Sequence, residues 1–402
     1  MGTTSPYTFD ATAIADSLLA QSRLENFAGY DPFDGLNSVL FDRLGAKRFS
    51  LTRIAWLQLH KRSPINLRGL VGVAKKRNPK GIALVILGLI ERRRVDRIAT
   101  ELDEAVALGD WLLAQSVDRK VWRHYAWGYH FDWAARAFYV PCGKPNAITT
   151  CYIARALYAL GNVTGFARFT DAAVDAGRFL DDLYVPTEDA GYYAYIPGET
   201  TLVHNASLWS AAVVAESAVR SNDSGMRERA LTAARLSSSM QREDGSWPYG
   251  ARSHHGFIDG FHTGYNLEAL SSLQAAFGTT EFSRVIDKGM RYYRRNFFLP
   301  DGTVKYYNDC IWPIDTHSVA QAVITLLKVG GSDEDRTLVD VVLSRAHRTL
   351  YLANENRFAY QKGRWLTNRI NYFRWTQAWA FYALSFYIAE ASNWRRHCDE
   401  AN

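Results

Sequence analysis

The sequence has no long apolar segment. Its most hydrophobic stretch, residues 81–90, has half of the ~20 apolar residues that a membrane-spanning helix needs, and Glu91 and three arginines follow it. The stretch therefore predicts a buried helix. The first ten residues lack a basic segment followed by an apolar one, and Pro6 interrupts the pattern for myristoylation of Gly2. These absences predict a cytoplasmic protein.

Cysteine is scarce, and its four positions lie far apart. No pair has the C-x-x-C spacing, which argues against a zinc knuckle and against a disulfide framework. We therefore predict reduced, structural thiols, and we predict no metal and no other cofactor. The four residues are Cys142, Cys151, Cys310 and Cys398.

Polar low-complexity tracts are also missing, and the 402 residues are 48% hydrophobic, which predicts a folded globular protein. The net charge of +6 is unevenly distributed, because basic residues greatly outnumber acidic ones in residues 43–97. This segment predicts attraction to an anionic polymer or to an anionic membrane surface; the alternative is a solvated basic surface. It has few aromatic residues and no recognisable binding module, which argues against nucleic acid as a partner.

The chain contains a repeat of helical segments. Five charge-poor segments with helical spacing start at intervals of about 57 residues, which is long enough for two helices and a loop. More amphipathic segments alternate with them, as expected for helices with one solvent-exposed face. The charge-poor segments are 147–160, 204–218, 262–277, 317–329 and 374–389. The amphipathic segments are 101–115, 166–183, 226–241, 282–297 and 334–351.

Two further segments complete six pairs. Residues 81–90 supply a sixth inner helix, and residues 11–27 supply the outer helix that packs beside the last inner one. The prediction is an all-α toroid of six helical hairpins that closes on itself. Residues 1–80 are expected to form a basic helical segment that packs on a toroid of residues 81–402.

A turn followed by alternating aromatic residues precedes several inner helices. Asp-Gly and related pairs supply the positive φ of a tight turn, so each piece predicts a small β-hairpin at the rim of the cleft. The aromatic side chains can stack on sugar rings or plug the rim, and Trp247, Tyr249 and Tyr306 are our binding candidates. The pieces are 189–195, 244–249, 301–306 and 356–360.

From about residue 99 onward, this architecture resembles carbohydrate-active (α/α)6 proteins. These include uronate epimerases, polysaccharide lyases and bacterial exopolysaccharide-biosynthesis proteins. The resemblance implies an enzyme of surface-polysaccharide metabolism whose partner is an acidic oligo- or polysaccharide, free or lipid-linked. Residues 241–247 also resemble the Gln-Trp repeat of terpene cyclases and prenyltransferases, but the Asp-x-Asp-Asp motif and a zinc-ligand set are absent.

Polar residues recur where the inner helices start. His204, His262 and His317 occupy equivalent positions, and Arg374 takes that position in the next repeat. Helix N-termini favour anions, so we expect the cleft to bind an acidic ligand. Neighbouring candidates for catalysis or binding are Asn205, Arg252, Asp259, Tyr265, Asn266, Glu268, Asp315 and Trp375.

Epimerisation or elimination at C5 of a uronate needs three functions. The carboxylate must be neutralised, a base must remove the C5 proton, and an acid must supply a proton. The candidates for neutralisation are Arg374, Arg252 and Asn266. The candidates for the base are His262 and His317. The candidates for the acid are Tyr265 and Tyr306.

Two other functions stay open at this point. A glycoside hydrolase needs two carboxyl groups across the scissile bond, and Asp259 with Asp315 can form such a pair, although either can also cap its helix. Glu268 lies deeper in its helix and is a secondary acid–base candidate that needs an Arg or His partner. A non-catalytic glycan-binding or scaffold protein is the alternative from a different class.

Two loops carry further candidates. In residues 30–37, Asp34 is expected to cap the following helix or to reach the cleft. In residues 127–133, aromatic residues surround His130 and Asp132, which predicts a sugar-binding platform or structural packing.

Overall fold

The computed structural model describes residues 9–134 and 139–400, and it describes only the backbone of residues 134 and 395–400. The interpretations of Gly2, Pro6 and the Cys398 thiol concern positions outside this description. The helices are α1 (Ala11–Leu24), α2 (Val39–Arg43), α3 (Ser50–Arg62), α4 (Pro79–Arg92), α5 (Ala99–Ala114), α6 (Arg119–Trp122), α7 (Ala147–Thr164), α8 (Ala167–Asp181), α9 (His204–Ser221), α10 (Ser224–Ser239), α11 (Gly260–Phe277), α12 (Ser283–Phe297), α13 (Thr316–Thr325), α14 (Asp333–Leu350) and α15 (Ala378–Glu400).

Short strands connect some of these helices. Two π-helical turns also occur: Leu326–Gly330 continues α13, and Phe373–Gln377 leads into α15. The strands are β1 (Ala28–Gly29), β2 (Lys76–Arg77), β3 (Trp133–Ala134), β4 (Tyr139–Val140), β5 (Tyr184–Pro186), β6 (Gly191–Tyr193), β7 (Ile314–Asp315), β8 (Tyr351–Leu352), β9 (Arg357–Phe358), β10 (Gln361–Lys362) and β11 (Thr367–Asn368).

Six helices form a closed inner ring. In order they are α4, α7, α9, α11, α13 and α15, and α15 contacts α4 again. Each packs against an outer partner: α5, α8, α10, α12, α14 and α1, respectively. The predicted all-α toroid of six hairpins is therefore confirmed, including the pairing of the first helix with the last.

The inner helices form where the sequence combines caps with a continuous apolar content. Asn78, Asn146, Asp259 and Asp315 cap the starts of α4, α7, α11 and α13 by accepting backbone N–H bonds. In α4 every residue from Pro79 to Leu89 is buried, because both the ring and the outer layer cover it. No helix in the described part of the chain combines the length and the apolar character needed to cross a bilayer.

The predicted rim hairpins are only partly correct. Two form as predicted, because β5 pairs with β6 around Asp189 and β8 pairs with β9 around Asn356. The piece at Asp301 forms a tight turn closed by a single bridge between Phe298 and Val304, and the piece at 244–249 forms a turn. In both pieces the backbone instead bonds to neighbouring segments: Tyr249 donates to the carbonyl of Phe257, and the carbonyl of Tyr306 accepts a bond from Gly260 of α11.

The first 80 residues join both ends of the ring. α1 packs on α15, β1 pairs with β2, and Tyr30 bridges Tyr372 beside the last inner helix. α2 and α3 lie beside the cleft, where Gln58 and Lys61 of α3 contribute to its wall. The division of the chain at residue 80 stays a prediction.

Candidate active site

A cleft of about 480 Å³ opens where the inner helices start. Half of the residues that line it are aromatic, which suits stacking against sugar rings. The aromatic residues are Phe33, Tyr129, Phe131, Trp133, Tyr195, Tyr249, Phe257, Phe261, Tyr265, Tyr306, Tyr307 and Trp375.

The polar residues of the cleft are mainly basic or neutral. Among the described residues that line it, Asp259 is the one carboxylate. The others are Gln58, Lys61, Lys80, Asn205, His254, His255, His262, His317 and Arg374. This composition favours an anionic ligand, as the sequence predicts.

Asp259 and His262 form a pair at the start of α11. Asp259 caps the helix by accepting the backbone N–H of His262, and its second oxygen lies 2.6 Å from Nδ1 of the same residue. A carboxylate at Nδ1 holds a proton on that nitrogen and leaves Nε2 as the basic nitrogen. The pair therefore combines the capping role and the chemical role that the sequence left as alternatives for Asp259.

Tyr265 and His317 form a second pair, between α11 and α13. The Tyr265 hydroxyl lies 2.7 Å from Nε2 of His317. Burial, followed by the charges of Lys80 and Arg374, lowers the pKa of His317 well below its ordinary value, so the imidazole is neutral. Burial raises the pKa of Tyr265 well above its ordinary value, so the hydroxyl stays protonated. It therefore donates a hydrogen bond to the neutral imidazole of His317.

Lys80 lies at the bottom of the same cleft and is missing from the candidates that the sequence suggested. Its Nζ is 3.5 Å from the Tyr265 hydroxyl and 4.1 Å from the centre of the Tyr152 ring. Burial and then the charge of Arg374 lower the pKa of Lys80 well below its ordinary value. The sequence does contain a signal for Lys80, because this residue directly precedes residues 81–90, which are predicted as an inner helix. The histidine candidates likewise lie where inner helices start.

Arg374 lies in the π-helical turn before α15 and is 3% exposed. Both oxygens of Asp31 accept hydrogen bonds from it, at 2.5 and 2.8 Å. Asp34, three residues after Asp31, accepts a bond from the buried Arg68 at 2.5 Å and does not line the cleft. The acids of residues 30–37 thus hold arginines in place, and the neighbouring Phe33 reaches the cleft.

Two predicted catalytic acids lie outside the cleft. Asp315 caps α13 and accepts bonds from Gln361 and Trp375, and burial raises its pKa to about 6. Asp315 therefore positions Trp375, a cleft residue, because the indole nitrogen of Trp375 donates a hydrogen bond to Oδ2 of Asp315 over 3.3 Å. The predicted pair of carboxylates facing one substrate is not formed, because Asp315 lies behind that ring.

Glu268 is the other acid outside the cleft. It lies on α11 and accepts hydrogen bonds from Arg155, Lys328 and Gln321. Burial by itself raises the pKa of Glu268. The positive charges of Lys328 and then Arg155 outweigh this effect and lower the pKa to about 2. Glu268 therefore has the predicted arginine partner, Arg155, and it joins α11 to two neighbouring parts of the inner helix ring through Arg155 and Lys328.

Other binding candidates also point away from the cleft. His204 is fully buried against Ser237 of α10, and burial lowers its pKa to about 4. The next residue, Asn205, lines the cleft instead. The predicted equivalence of the three histidines is therefore inexact, because His204 is the first residue of α9, whereas His262 is the third residue of α11 and His317 is the second of α13. The remaining candidates outside the cleft are Trp247, which bonds the backbone of α10, Arg252, which pairs with Glu199, and the buried Asn266.

The loop 127–133 alternates between two sides. Tyr129, Phe131 and Trp133 line the cleft, and their role as a sugar-binding platform stays a prediction. His130 and Asp132 lie between them and do not line the cleft: His130 is half-buried beside Asn78, and Asp132 pairs with Lys47. The extended backbone explains this, because successive side chains of an extended segment face opposite sides.

The chain is similar to known proteins in its fold. No protein-family model matches the sequence, and a search of curated proteins found no match. Many solved structures share the fold, and three of them are enzymes that act on carbohydrates. The cellobiose 2-epimerase of Bacillus thermoamylovorans has a TM-score of 0.60 and 10% identity over 78% of this chain and 88% of its own. An unsaturated glucuronyl hydrolase specific for heparin has a TM-score of 0.63 and 13% identity over 95% and 97%, respectively.

The third structure is an α-mannanase of Bacteroides thetaiotaomicron, with a TM-score of 0.59 and 9% identity over 80% of this chain and 88% of its own. At these identities the likeness shows the fold. The chain is an (α/α)6 toroid of the kind found in carbohydrate-active enzymes, as the sequence predicts.

Proposed function

We propose that the protein is a cytoplasmic enzyme of surface-polysaccharide metabolism that acts on a uronate-containing glycan by removing the C5 proton. One observation carries the proposal: the His262–Asp259 pair, the Tyr265–His317 pair and Arg374 line a single cleft. The aromatic walls suit a sugar, and the basic residues suit its carboxylate.

Arg374 and Lys80 neutralise the carboxylate in this proposal. The guanidinium of Arg374 is always charged, and Asp31 fixes its orientation. Lys80 is close enough to Tyr265 to reach the same ligand. Neutralising the carboxylate makes the C5 proton more acidic, which is the main electrostatic requirement of the reaction.

The two pairs then divide the proton transfers. His262 removes the C5 proton with Nε2, and the electron pair moves onto the carboxylate as an enediolate. In an epimerase, Tyr265 returns a proton to C5 from the opposite face. In a lyase, the electron pair expels the oxygen at C4, which takes the Tyr265 proton, and a C4–C5 double bond forms. Before the transfer, His317 accepts the hydrogen bond of Tyr265 and holds the hydroxyl in place; this bond is given up when the proton moves to the substrate.

The alternatives have less support. A hydrolase with paired carboxylates needs a second carboxyl group facing the substrate, and Asp315 lies behind Trp375. A terpene cyclase-like role rests on residues 241–247, whose Gln241 and Trp247 bond backbone carbonyls. A glycan-binding scaffold does not need the two proton-transfer pairs.

The test is incubation of the protein with uronate-containing oligosaccharides in deuterated water. We expect deuterium at C5 by NMR, together with either the C5 epimer or absorbance from an unsaturated product. His262→Gln should lower the rate by about 100-fold or more, because it removes the base. The matched control is His347→Gln on the outer helix α14, which should react at the rate of the unaltered protein.

New reducing ends without deuterium or unsaturation would contradict proton abstraction and would favour a hydrolase. Oligosaccharide binding without any of the three products would favour a scaffold.

A further inference from the structure

Exposed apolar side chains concentrate beside the cleft. Residues 39–70 contain eight of the 22 large apolar side chains that are exposed in the described part of the chain, although they are less than a tenth of it. Phe49 is 65% exposed and Leu51 is 80% exposed. Such a density of apolar groups on one segment marks an interaction surface.

Part of this exposed apolar surface lies along one side of α3. Leu51, Ala55 and Leu59 are four residues apart and all exposed, so they form a stripe along the helix. Phe49 precedes the stripe and Ile65 follows it. We call Arg48, Phe49, Leu51, Leu59, Arg62 and Ile65 the α3 face.

The α3 face borders the cleft. Gln58 lies next to the stripe on the helix surface, and both Gln58 and Lys61 line the cleft wall. Leu57 and His60, on the remaining side of α3, are buried against the rest of the N-terminal segment. A surface that covers the stripe therefore lies at the mouth of the cleft.

The same segment is strongly basic. Residues 39–70 contain seven Lys and Arg residues and one acid, Asp42, which pairs with Lys47. Arg48 and Arg62 of the α3 face are exposed. A second copy of the chain would place like charges opposite each other across a twofold axis, which disfavours a homodimer through this face.

A hairpin tip adds an interfacial aromatic residue at the end of α3. Asn368 of β11 donates a hydrogen bond to the carbonyl of Ser63, which places the β10–β11 hairpin beside the end of the helix. The tip of that hairpin carries Trp365, 84% exposed, next to the exposed Arg364. Tryptophan beside basic residues is typical of segments that lie in the interface of a membrane.

We propose that the α3 face docks on an anionic lipid bilayer. The apolar stripe inserts among the headgroups, and Arg48 and Arg62 contact the lipid phosphates. This inference rests on the proposed function and deepens it, because docking brings the mouth of the cleft to the membrane. The substrate is then the sugar part of a lipid-linked glycan.

The experiment is vesicle flotation of the full chain with phosphatidylcholine vesicles that contain or lack phosphatidylglycerol. We expect flotation with the anionic vesicles only, weakened by added salt. Arg48→Gln with Arg62→Gln should weaken binding by about 25-fold, at about fivefold for each basic residue. Leu51→Asp with Leu59→Asp should abolish flotation. Val219→Asp is the matched control, because this exposed residue lies at the other end of an inner helix, α9.

Two outcomes would overturn the docking proposal. One is no flotation of the unaltered protein with anionic vesicles, and the other is equal flotation of the Leu51→Asp, Leu59→Asp variant and the Val219→Asp control. Circular dichroism of both variants verifies that they fold. Deuterium exchange on a free uronate oligosaccharide is measured in parallel, so a failure of docking leaves the proposed reaction standing on its own result.

Discussion

At the scale of residues, three groups that can carry a positive charge share one cleft. Lys80 and His317 are buried beside Arg374, whose ion pair with Asp31 keeps it charged. Burial and the neighbouring charges lower the pKa of both Lys80 and His317. The free protein therefore avoids accumulating charge in the cleft, and a bound carboxylate changes this balance.

Binding of a uronate oligosaccharide should be coupled to proton uptake. A carboxylate next to Lys80 raises the pKa of that amine towards its ordinary value, so protons are taken up at pH values between the lowered and the ordinary pKa. The measurement is calorimetric titration in buffers of different ionisation enthalpy. We expect equal proton uptake by the unaltered protein and by Lys76→Met, whose lysine is exposed, and clearly smaller uptake in Lys80→Met. Equal uptake in Lys80→Met would refute this role of Lys80.

At the scale of elements, the ring closes through the contact between α4 and α15. Gly88 on α4 faces Phe381 on α15, and a Cβ atom at Gly88 would lie 2.5 Å from Cε1 of that ring. Such a contact is too short for any side chain, so glycine allows the two inner helices to approach closely. The first and last inner helices are joined at a position where a methyl group does not fit.

Gly88→Ala should therefore destabilise the protein. In an open helix position this change stabilises by about 0.5–1 kcal/mol, but here the clash should cost about 1–3 kcal/mol. Gly225→Ala on α10 is the matched control, because its nearest atoms, 3.3 Å away, belong to the flexible ends of Arg229 and Asp223. The free energy of unfolding in urea distinguishes the two variants, and equal stability would show that α15 shifts freely.

At the scale of the whole molecule, the N-terminal segment joins the last inner helix through a buried ion pair. Asp31 is 1% exposed and Arg374 is 3% exposed, and they are 343 residues apart in the chain. A buried pair adds little to stability relative to apolar residues, but removing one partner leaves a buried charge without compensation. The pair thus makes the fold of the ring depend on residues that precede its first inner helix.

Asp31→Asn should lower the free energy of unfolding by about 3–5 kcal/mol, because Arg374 is left unpaired. Asp42→Asn removes an acid from an exposed pair with Lys47 and should change stability by less than about 1 kcal/mol. Urea unfolding of both variants, followed by circular dichroism and tryptophan fluorescence, gives the comparison. Coincident stabilities would show that water or another group compensates Arg374.

The sequence alone was sufficient to predict the ring. The apolar periodicity of each segment is a local property, and segments such as 204–218 and 282–297 match α9 and α12 closely. Because each hairpin has an apolar face that only a neighbour can cover, a repeat of six such hairpins indicates a closed architecture. The placement of Asp259 and His262 at the start of a helix was also predictable, because helix caps and apolar periodicity are local features of the sequence.

The direction of each side chain was decided only by the tertiary structure. His204 and His317 look equivalent in the sequence, but His204 is the first residue of α9 and His317 is the second of α13. His204 is therefore buried against α10, and the next residue, Asn205, faces the cleft. In the sequence, Lys80 is one of many basic residues in a charged segment. In the structure it is buried, because α4 is covered by neighbouring helices from Pro79 to Leu89. A helix can rotate by one residue, about 100°, without changing its sequence pattern, so only its packing partners select which side chain faces the cavity.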